Sequence, residues 1–286
     1  MDLEIRAISE KHNIKMSIID ITESFQKIVD LQQTNPLASL AAGRVTIANA
    51  LIGLSQKNNE KITSVINGAG YIGTIISEYQ NNAVRTYVQI PDFDITGITQ
   101  GEISPLAQVV GKNGFLQVTR DSGMKEPYTS RVQLVNGEIN IDYMYYLNQS
   151  EQIHSIIASD VKIDNNGKIK KAVGLIVQLL PEYTDEDINF LEEKLGSLDY
   201  TTKVLSKTTN YHEFLKDIAF DVKILSNNTL KFECTCSVEK VLASVKLLGK
   251  DELEKIIEQA EDVEVVCDFC KKKYVVSVNE VKKILN

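Results

Sequence analysis

Cys234-Thr-Cys236 and Cys267-Asp-Phe-Cys270 contain every cysteine of the chain, as two close pairs separated by residues 237 to 266. A protein that used cysteine as a small core residue would scatter it. Two pairs suggest one shared object, either a tetrahedral metal or two short disulfides. The flanking residues say what fold carries them. Val263–Val266 and Lys273–Val276 read as strands on either side of a tight Cys-x-x-Cys turn, which is the setting of a zinc half-site. Thr229–Cys234 reads as a strand leading into Cys-x-Cys, where extended backbone points residues i and i+2 to one face. Between the pairs, Ser237 caps a helix running to Leu248 that Gly249 ends, and a second helix starts at Asp251 with Leu253, Ile256 and Ile257 inward. Ser277 and Glu280 box a last helix. Residues 227–286 are therefore expected to form a small α+β domain around a four-cysteine site that suits Zn2+.

Working upstream, residues 182–226 read as a helical segment. Thr184-Asp-Glu-Asp187 opens a helix, and Ile188, Leu191, Leu195 and Leu198 follow at helical spacing. Gly196 and several threonines interrupt it before a short helix at Tyr211–Phe220. Isolated helices this short are marginal in water, so the segment reads either as a plain connector or as a linker folded only while docked.

Residues 1–181 read as a β-rich core domain with packed helices, making the whole chain α+β. Strands are expected within 3–21, with a turn near Glu10–Asn13, and Thr22 is expected to cap a helix. Leu37 to Gln56 reads as a long buried helix with Ala41, Ala42 and Gly43 permitting close approach. Strands follow at Ile62–Asn67, Thr74–Gln80 and Ala83–Ile90, the last two joined by Asn81-Asn82. Residues 91–137 continue in β style. Ile139–Gln149 is a helix whose Tyr143, Tyr145 and Tyr146 are assigned to the core, and strands close the domain at Ser155–Ile163 and Lys170–Leu179 before Pro181.

Gly68-Ala-Gly70-Tyr-Ile-Gly73 matches the dinucleotide pattern G-x-G-x-x-G. That fingerprint needs its third glycine to open a crossover helix, and Gly73 is followed by a β-rich run that turns at Asn81-Asn82. No nucleotide site is expected. His12, His154 and His212 are scattered and are not taken as ligands, and no nucleophile–base signature stands out, so no enzymatic activity is expected.

With 43% apolar and 24% charged residues the 286-residue chain can bury a core, and its net charge of −8 disfavours a nucleic-acid binder. The longest apolar stretches, such as Val173–Leu180, are expected to be too short to span a bilayer, and Met1-Asp-Leu-Glu-Ile-Arg does not begin a secretion signal. A cytoplasmic protein without membrane or nucleic-acid partners is expected, and in a reducing compartment paired cysteines mean metal or redox chemistry.

Two purposes stay open for the cysteines. A permanent structural zinc is one, and a nucleic-acid module built on it is the alternative function, supported by Lys271-Lys272-Lys273 alone. A redox switch is the other. Zinc holds its ligands as thiolates, the form oxidants attack, and each pair is close enough in sequence to close a Cys234–Cys236 or a Cys267–Cys270 disulfide. Structural zinc contributes about 10–16 kcal/mol to small domains, whereas a core of some sixty residues supplies only about 3–5 kcal/mol. Losing the metal should unfold the domain.

Cys-x-Cys, a spacer of about thirty residues and Cys-x-x-Cys near the C-terminus resemble the heat shock protein 33 family of redox-regulated holdase chaperones. Tyr145-Tyr146-Leu147-x-x-Ser150-Glu151-Gln152, Gly73-Thr74-Ile75, Asn136-Gly137-Glu138 and Gly43-Arg44 extend the resemblance over the chain. It implies a reduced, zinc-bound, inactive form. It further implies that oxidation closes Cys234–Cys236 and Cys267–Cys270 and releases the zinc. The zinc domain and linker would then disorder, exposing apolar surface that holds unfolding proteins without ATP. Family members tend to dimerise when active. The apolar face Ile188, Leu191, Leu195 and Leu198 is the candidate for binding unfolding clients.

Overall fold

A helix that is apolar all round needs cover on every side, and Pro36–Ser55 sets this requirement for the first 230 residues. The computed structural model describes residues 2–55, 60–123 and 126–285, which divide into the units Met1–Phe232 and Glu233–Asn286. The first unit opens with β1 (Leu3–Ser9), β2 (Ile14–Asp20), α1 (Thr22–Gln32) and α2 (Pro36–Ser55). Next come β3 (Lys61–Asn67), β4 (Thr74–Gln80), β5 (Ala83–Val88), α3 (Pro105–Val110), β6 (Phe115–Asp121), β7 (Tyr128–Gln133) and α4 (Asn140–Glu151). It ends with β8 (Ser155–Ile163), β9 (Ile169–Leu179), α5 (Asp185–Leu195), α6 (Leu198–Lys207), α7 (Tyr211–Ile218), β10 (Lys223–Asn228) and β11 (Lys231–Phe232).

Two sheets cover α2. One has the order β10-β1-β2-β9-β8 and is antiparallel throughout; the other runs β11-β5-β4-β3-β6-β7, with only β11 parallel to its neighbour. Both press α2 closely enough that glycine is required. A Cβ on Gly53 would lie 2.1 Å from the Tyr79 ring, and one on Gly43 would lie 2.6 Å from Val161. Buried polar groups between α2 and the second sheet are paired: Ser64 donates to Asn49 at 2.7 Å, and the Asn49 amide donates to the Ser77 carbonyl at 3.1 Å. The helix is long and apolar enough to cross a membrane, unlike the Val173–Leu180 run, but 83% of its most apolar window is buried within this fold.

The five-stranded sheet is a wall between two cores. Strand alternation sends Ile19, Ile157, Ala172 and Ile176 to the α2 side. Its other face carries Ile5, Met16, Ile18, Leu175 and Val177, which pack against Leu191 and Leu195 of α5, Leu205 of α6, and Tyr211, Phe214 and Leu215 of α7. The segment 182–226 is thus three docked helices followed by most of β10, and it shares a core with the sheet.

The structure departs from the sequence reading at several places. Thr22 is not the cap of α1; it donates to Asp20, while the Asp2 carboxylate accepts from the Glu23 and Ser24 amides at 2.8 and 2.6 Å. The 91–137 stretch contains α3, capped by Ser104 with Pro105 opening the helix. Tyr143 and Tyr146 are fully buried as expected, but Tyr145 is 41% exposed, because it lies on the outer face of α4.

The second unit holds α8 (Val238–Lys246), α9 (Lys250–Gln259), β12 (Val263–Val266), β13 (Lys273–Val276) and α10 (Val278–Leu285). Its core is small: Val241, Val245, Leu253, Tyr274, Val276 and Val281 are its buried apolar residues.

Candidate metal centre

The β12–β13 hairpin presents Cys267 and Cys270 at its turn. The Cys267 amide donates to the Lys272 carbonyl at 2.9 Å, the Lys271 amide donates back to Cys267 at 2.8 Å, and Lys271 takes a left-handed φ of 58° to close the loop. Cys234 and Cys236 come from the irregular segment before α8. The strand expected over Thr229–Cys234 is confined to β11, because the parallel pairing with β5 involves only Lys231 and Phe232. Ser237 caps α8 by accepting from the Lys240 amide at 3.3 Å, fixing where the helix starts beside Cys236.

None of the four cysteines is in a disulfide, all are half-buried, and their sulfurs lie within 4.8 Å of one another. Cys234 Sγ is 3.7 Å from Cys267 Sγ, and Cys236 Sγ is 3.5 Å from Cys270 Sγ. Four sulfurs about 2.3 Å from a tetrahedral zinc stand roughly 3.8 Å apart, whereas a disulfide needs about 2.05 Å. The donor set and its spacing fit zinc. His12, His154 and His212 belong to the first unit and are not members of this cluster.

The four thiols share charge unevenly. Burial opposes ionisation of Cys236, but hydrogen bonds from Tyr274 and the other three sulfurs outweigh it and bring this thiol down to about 7. Cys270 is pushed up to about 12, by burial first and then by its sulfur neighbours. The Tyr274 hydroxyl donates to Cys236 Sγ at 3.0 Å from a ring that is only 8% exposed. Sequence reading missed Tyr274; the alternation of β13, which places residues 274 and 276 on the inner face, was the available signal.

The other singled-out residues fall elsewhere. Leu191 and Leu195 are buried against the five-stranded sheet, with Leu198 half-buried beside them. Ile188 is half-buried and, with Leu191, lines a cavity of about 340 Å³ that also touches Met144, Ile156 and Leu179. Gly68 and Gly70 serve loop packing: a Cβ on either would fall within 2.3 Å of carbonyl oxygens of Val109, Val110 or Gly111, and Gly73 leads into β4. The Tyr-Tyr-Leu-x-x-Ser-Glu-Gln stretch is a clasp. Glu151 pairs with Arg120 of β6 and accepts from Tyr146 at 2.8 Å, while Ser130 of β7 donates to Ser150 at 2.8 Å.

A family profile described as Hsp33 protein matches residues 2–277. The chain is 34% identical to the 33 kDa chaperonin of Thermoanaerobacter sp. (strain X514), covering 99% of this chain and 98% of that one. It is 33% identical to the 33 kDa chaperonin of Lactococcus lactis subsp. cremoris (strain MG1363), over the full length of both. The crystal structure of the Thermotoga maritima 33 kDa chaperonin, a heat shock protein 33 homologue, superposes with a TM-score of 0.84 at 28% identity, covering 99% of this chain and 97% of that one. With four clustered cysteines in a small C-terminal unit, an α+β fold throughout and a family match from end to end, the chain belongs to the Hsp33 family of chaperones.

Proposed function

We propose that this chaperone is an ATP-independent holdase governed by the redox state of Cys234, Cys236, Cys267 and Cys270. The observation that carries the reading is the gathering of four thiols outside any disulfide in a unit of roughly fifty residues whose core has six buried apolar side chains among the described residues. Zn2+, held by these four residues in the reduced protein, supplies charge neutralisation and a cross-link between Cys-x-Cys and the hairpin turn. A sulfur tied into a disulfide is no longer a thiolate donor, so closing Cys234–Cys236 or Cys267–Cys270 dismantles the set. Each closure passes two electrons from two thiols to one peroxide, yielding one disulfide and two waters.

The energies favour unfolding after that step. A core of this size supplies about 3–5 kcal/mol, well below the roughly 10–16 kcal/mol of a structural zinc. Disulfides closing such short loops constrain the unfolded chain too little to compensate.

On this reading residues 1–181 act as the core domain, 182–226 as a conditionally folded linker and 227–286 as the switch. Undocking α5–α7 would bare Ile5, Met16, Ile18, Leu175 and Val177 together with the helices' own Ile188, Leu191, Leu195 and Leu198, an apolar surface suited to unfolding clients. The oxidised protein is expected to dimerise, to reside in the cytoplasm, and to act without nucleotide, nucleic acid or membrane.

Light scattering from an aggregating unfolded client tests the proposal. Suppression by the peroxide-treated protein, absent from the reduced zinc-loaded protein and reversed by a thiol reductant, is expected. Equal behaviour in the two states would reduce the cluster to a structural role.

A further inference from the structure

Among the four sulfurs, Cys236 Sγ is the one to which a phenol donates, from Tyr274 at 3.0 Å. The ring belongs to the small core with Val241, Val245 and Val276, so the hydroxyl is held in place by packing. Lys272 Nζ sits 5.0 Å over the same ring. In the zinc-loaded protein Cys236 is a thiolate with or without Tyr274, so the hydrogen bond acts only by drawing charge from the sulfur, which makes it a weaker nucleophile. It also anchors that sulfur: closing Cys234–Cys236 brings the two sulfurs to about 2.05 Å, and the Tyr274 bond must yield as Cys236 turns. Partners of this kind around metal-bound residues typically change affinity about 10–100-fold when removed.

We propose that Tyr274 is a positioning residue for the redox step, and that its hydroxyl restrains Cys236 so that the Cys234–Cys236 disulfide forms more slowly than it otherwise would. The inference rests on the redox reading above. In the restrained step, Cys236 thiolate attacks a peroxide oxygen, the O–O bond breaks, and a sulfenic acid and water result after one proton is taken up. Cys234 thiolate then attacks the sulfenic sulfur, the S–O bond breaks, and hydroxide leaves and is protonated to water. Two electrons pass from the two cysteines to the peroxide.

Tyr274→Phe keeps the ring and removes the hydroxyl. The full-length reduced protein, zinc-loaded, is treated with hydrogen peroxide, quenched by alkylation at intervals and mapped by mass spectrometry, with zinc release followed by a chromogenic chelator. The expected result is formation of Cys234–Cys236 on the order of tenfold faster in the variant, with the Cys267–Cys270 rate unchanged. If the substitution merely loosens the unit, both disulfides accelerate together, and that outcome overturns the proposal, as does an unchanged ratio of the two rates. Tyr274→Leu, which removes ring and hydroxyl, is expected to accelerate both and supplies the pattern of a packing defect for comparison. A wild-type protein that forms neither disulfide would overturn the redox reading and this inference with it. Wild type forming both, with Tyr274→Phe indistinguishable from it, would overturn the inference alone.

Discussion

Removing one hydroxyl from α7, by Tyr211→Phe, tests how firmly the linker helices are held. Tyr211 donates to Asp20 Oδ2 at 2.6 Å, and Lys171 Nζ donates to the same oxygen at 2.9 Å. Thr22 donates to the other oxygen through its hydroxyl and its amide at 2.6 and 3.1 Å. The phenylalanine ring would still pack beside Phe214 and Leu215, so the change removes the bond donated to Asp20 and the one the hydroxyl accepts from Lys171 at 2.5 Å, each to a charged partner and of about 1.5–3 kcal/mol before water replaces it. The side chains of Asp20 and Lys171 keep 15% and 18% exposure, so water can partly replace the hydroxyl and the low end applies. About 1.4 kcal/mol is a factor of ten in an equilibrium, so native-state hydrogen exchange in Tyr211–Ile218 should quicken roughly tenfold while Met16–Ile18 of β2 stays protected. Unchanged exchange in α7, or the same increase in β2, would refute the account. The same carboxylate sets a pH limit. Burial works against its charge, but Thr22, Tyr211 and Lys171 outweigh burial and hold Asp20 below the ordinary carboxylate value near 3.9. A depressed acid stabilises docking above that ordinary value and loses the effect as pH falls through its own lower value. Docking should therefore be constant from about pH 5 to 8 and weaken only in stronger acid, a step that Asp20→Asn should lack.

Three other perturbations probe the remaining structure. Stripping zinc from the reduced protein with a chelator should abolish the far-UV helical signal of α8, α9 and α10. Most of the near-UV tyrosine signal should survive, since Tyr274 is the sole member of the chain's 11 tyrosines that lies beyond Phe232; retained helix would contradict the energetics of the small core. Gly53→Ala forces a methyl to within 2.1 Å of the Tyr79 ring and should cost about 1–3 kcal/mol, read as a fall in Tm of the first unit by thermal melting. Glu151→Ala leaves the Arg120 charge without its partner in a site where the two side chains are 10% and 19% exposed. A loss of about 3 kcal/mol in urea unfolding is expected, and less than ~1 kcal/mol would mean the clasp is solvated.

The parts of the fold that sequence exposed are those with local causes. Asn81 and Asn82 both take positive φ, at 51° and 57°, which is why the two-residue turn between β4 and β5 was legible. Thr184 with Asp187, and Ser277 with Glu280, bond within three residues, and both helix starts were placed. The cysteine cluster was half readable: spacing keeps each pair together, and the fold brings Cys234 to Cys267 and Cys236 to Cys270. The features that escaped depend on contacts distant in sequence. Asp2 caps α1 from the neighbouring strand's end some twenty residues earlier, β11 finds β5 over more than a hundred residues, and α3 is a short helix whose apolar period is too brief to stand out. Tyr274 escaped for a related reason: an aromatic in a β-strand reads as core, and nothing local marks its hydroxyl as facing a sulfur. Likewise, the pattern of α5–α7 gave their apolar stripe but not the sheet face it covers.

The pairing of Glu4 with Asn228 sets a condition on how the chain is made. β1 can pair with β2 as soon as the first twenty residues are free, but its other edge is completed only by β10, more than two hundred residues later. At 5–20 residues per second of synthesis, that edge stays open for roughly 10–45 s on the ribosome. An open strand edge invites pairing with other nascent chains. Glu4 and Arg6 place opposite charges along it; the register shift between Arg6 and Ala7 comes from an extra residue, Leu225, in β10 itself. Charges along an open edge discourage a stranger's strand from adding there. A chaperone must itself pass through this interval, and the charges of β1 are its protection while it does.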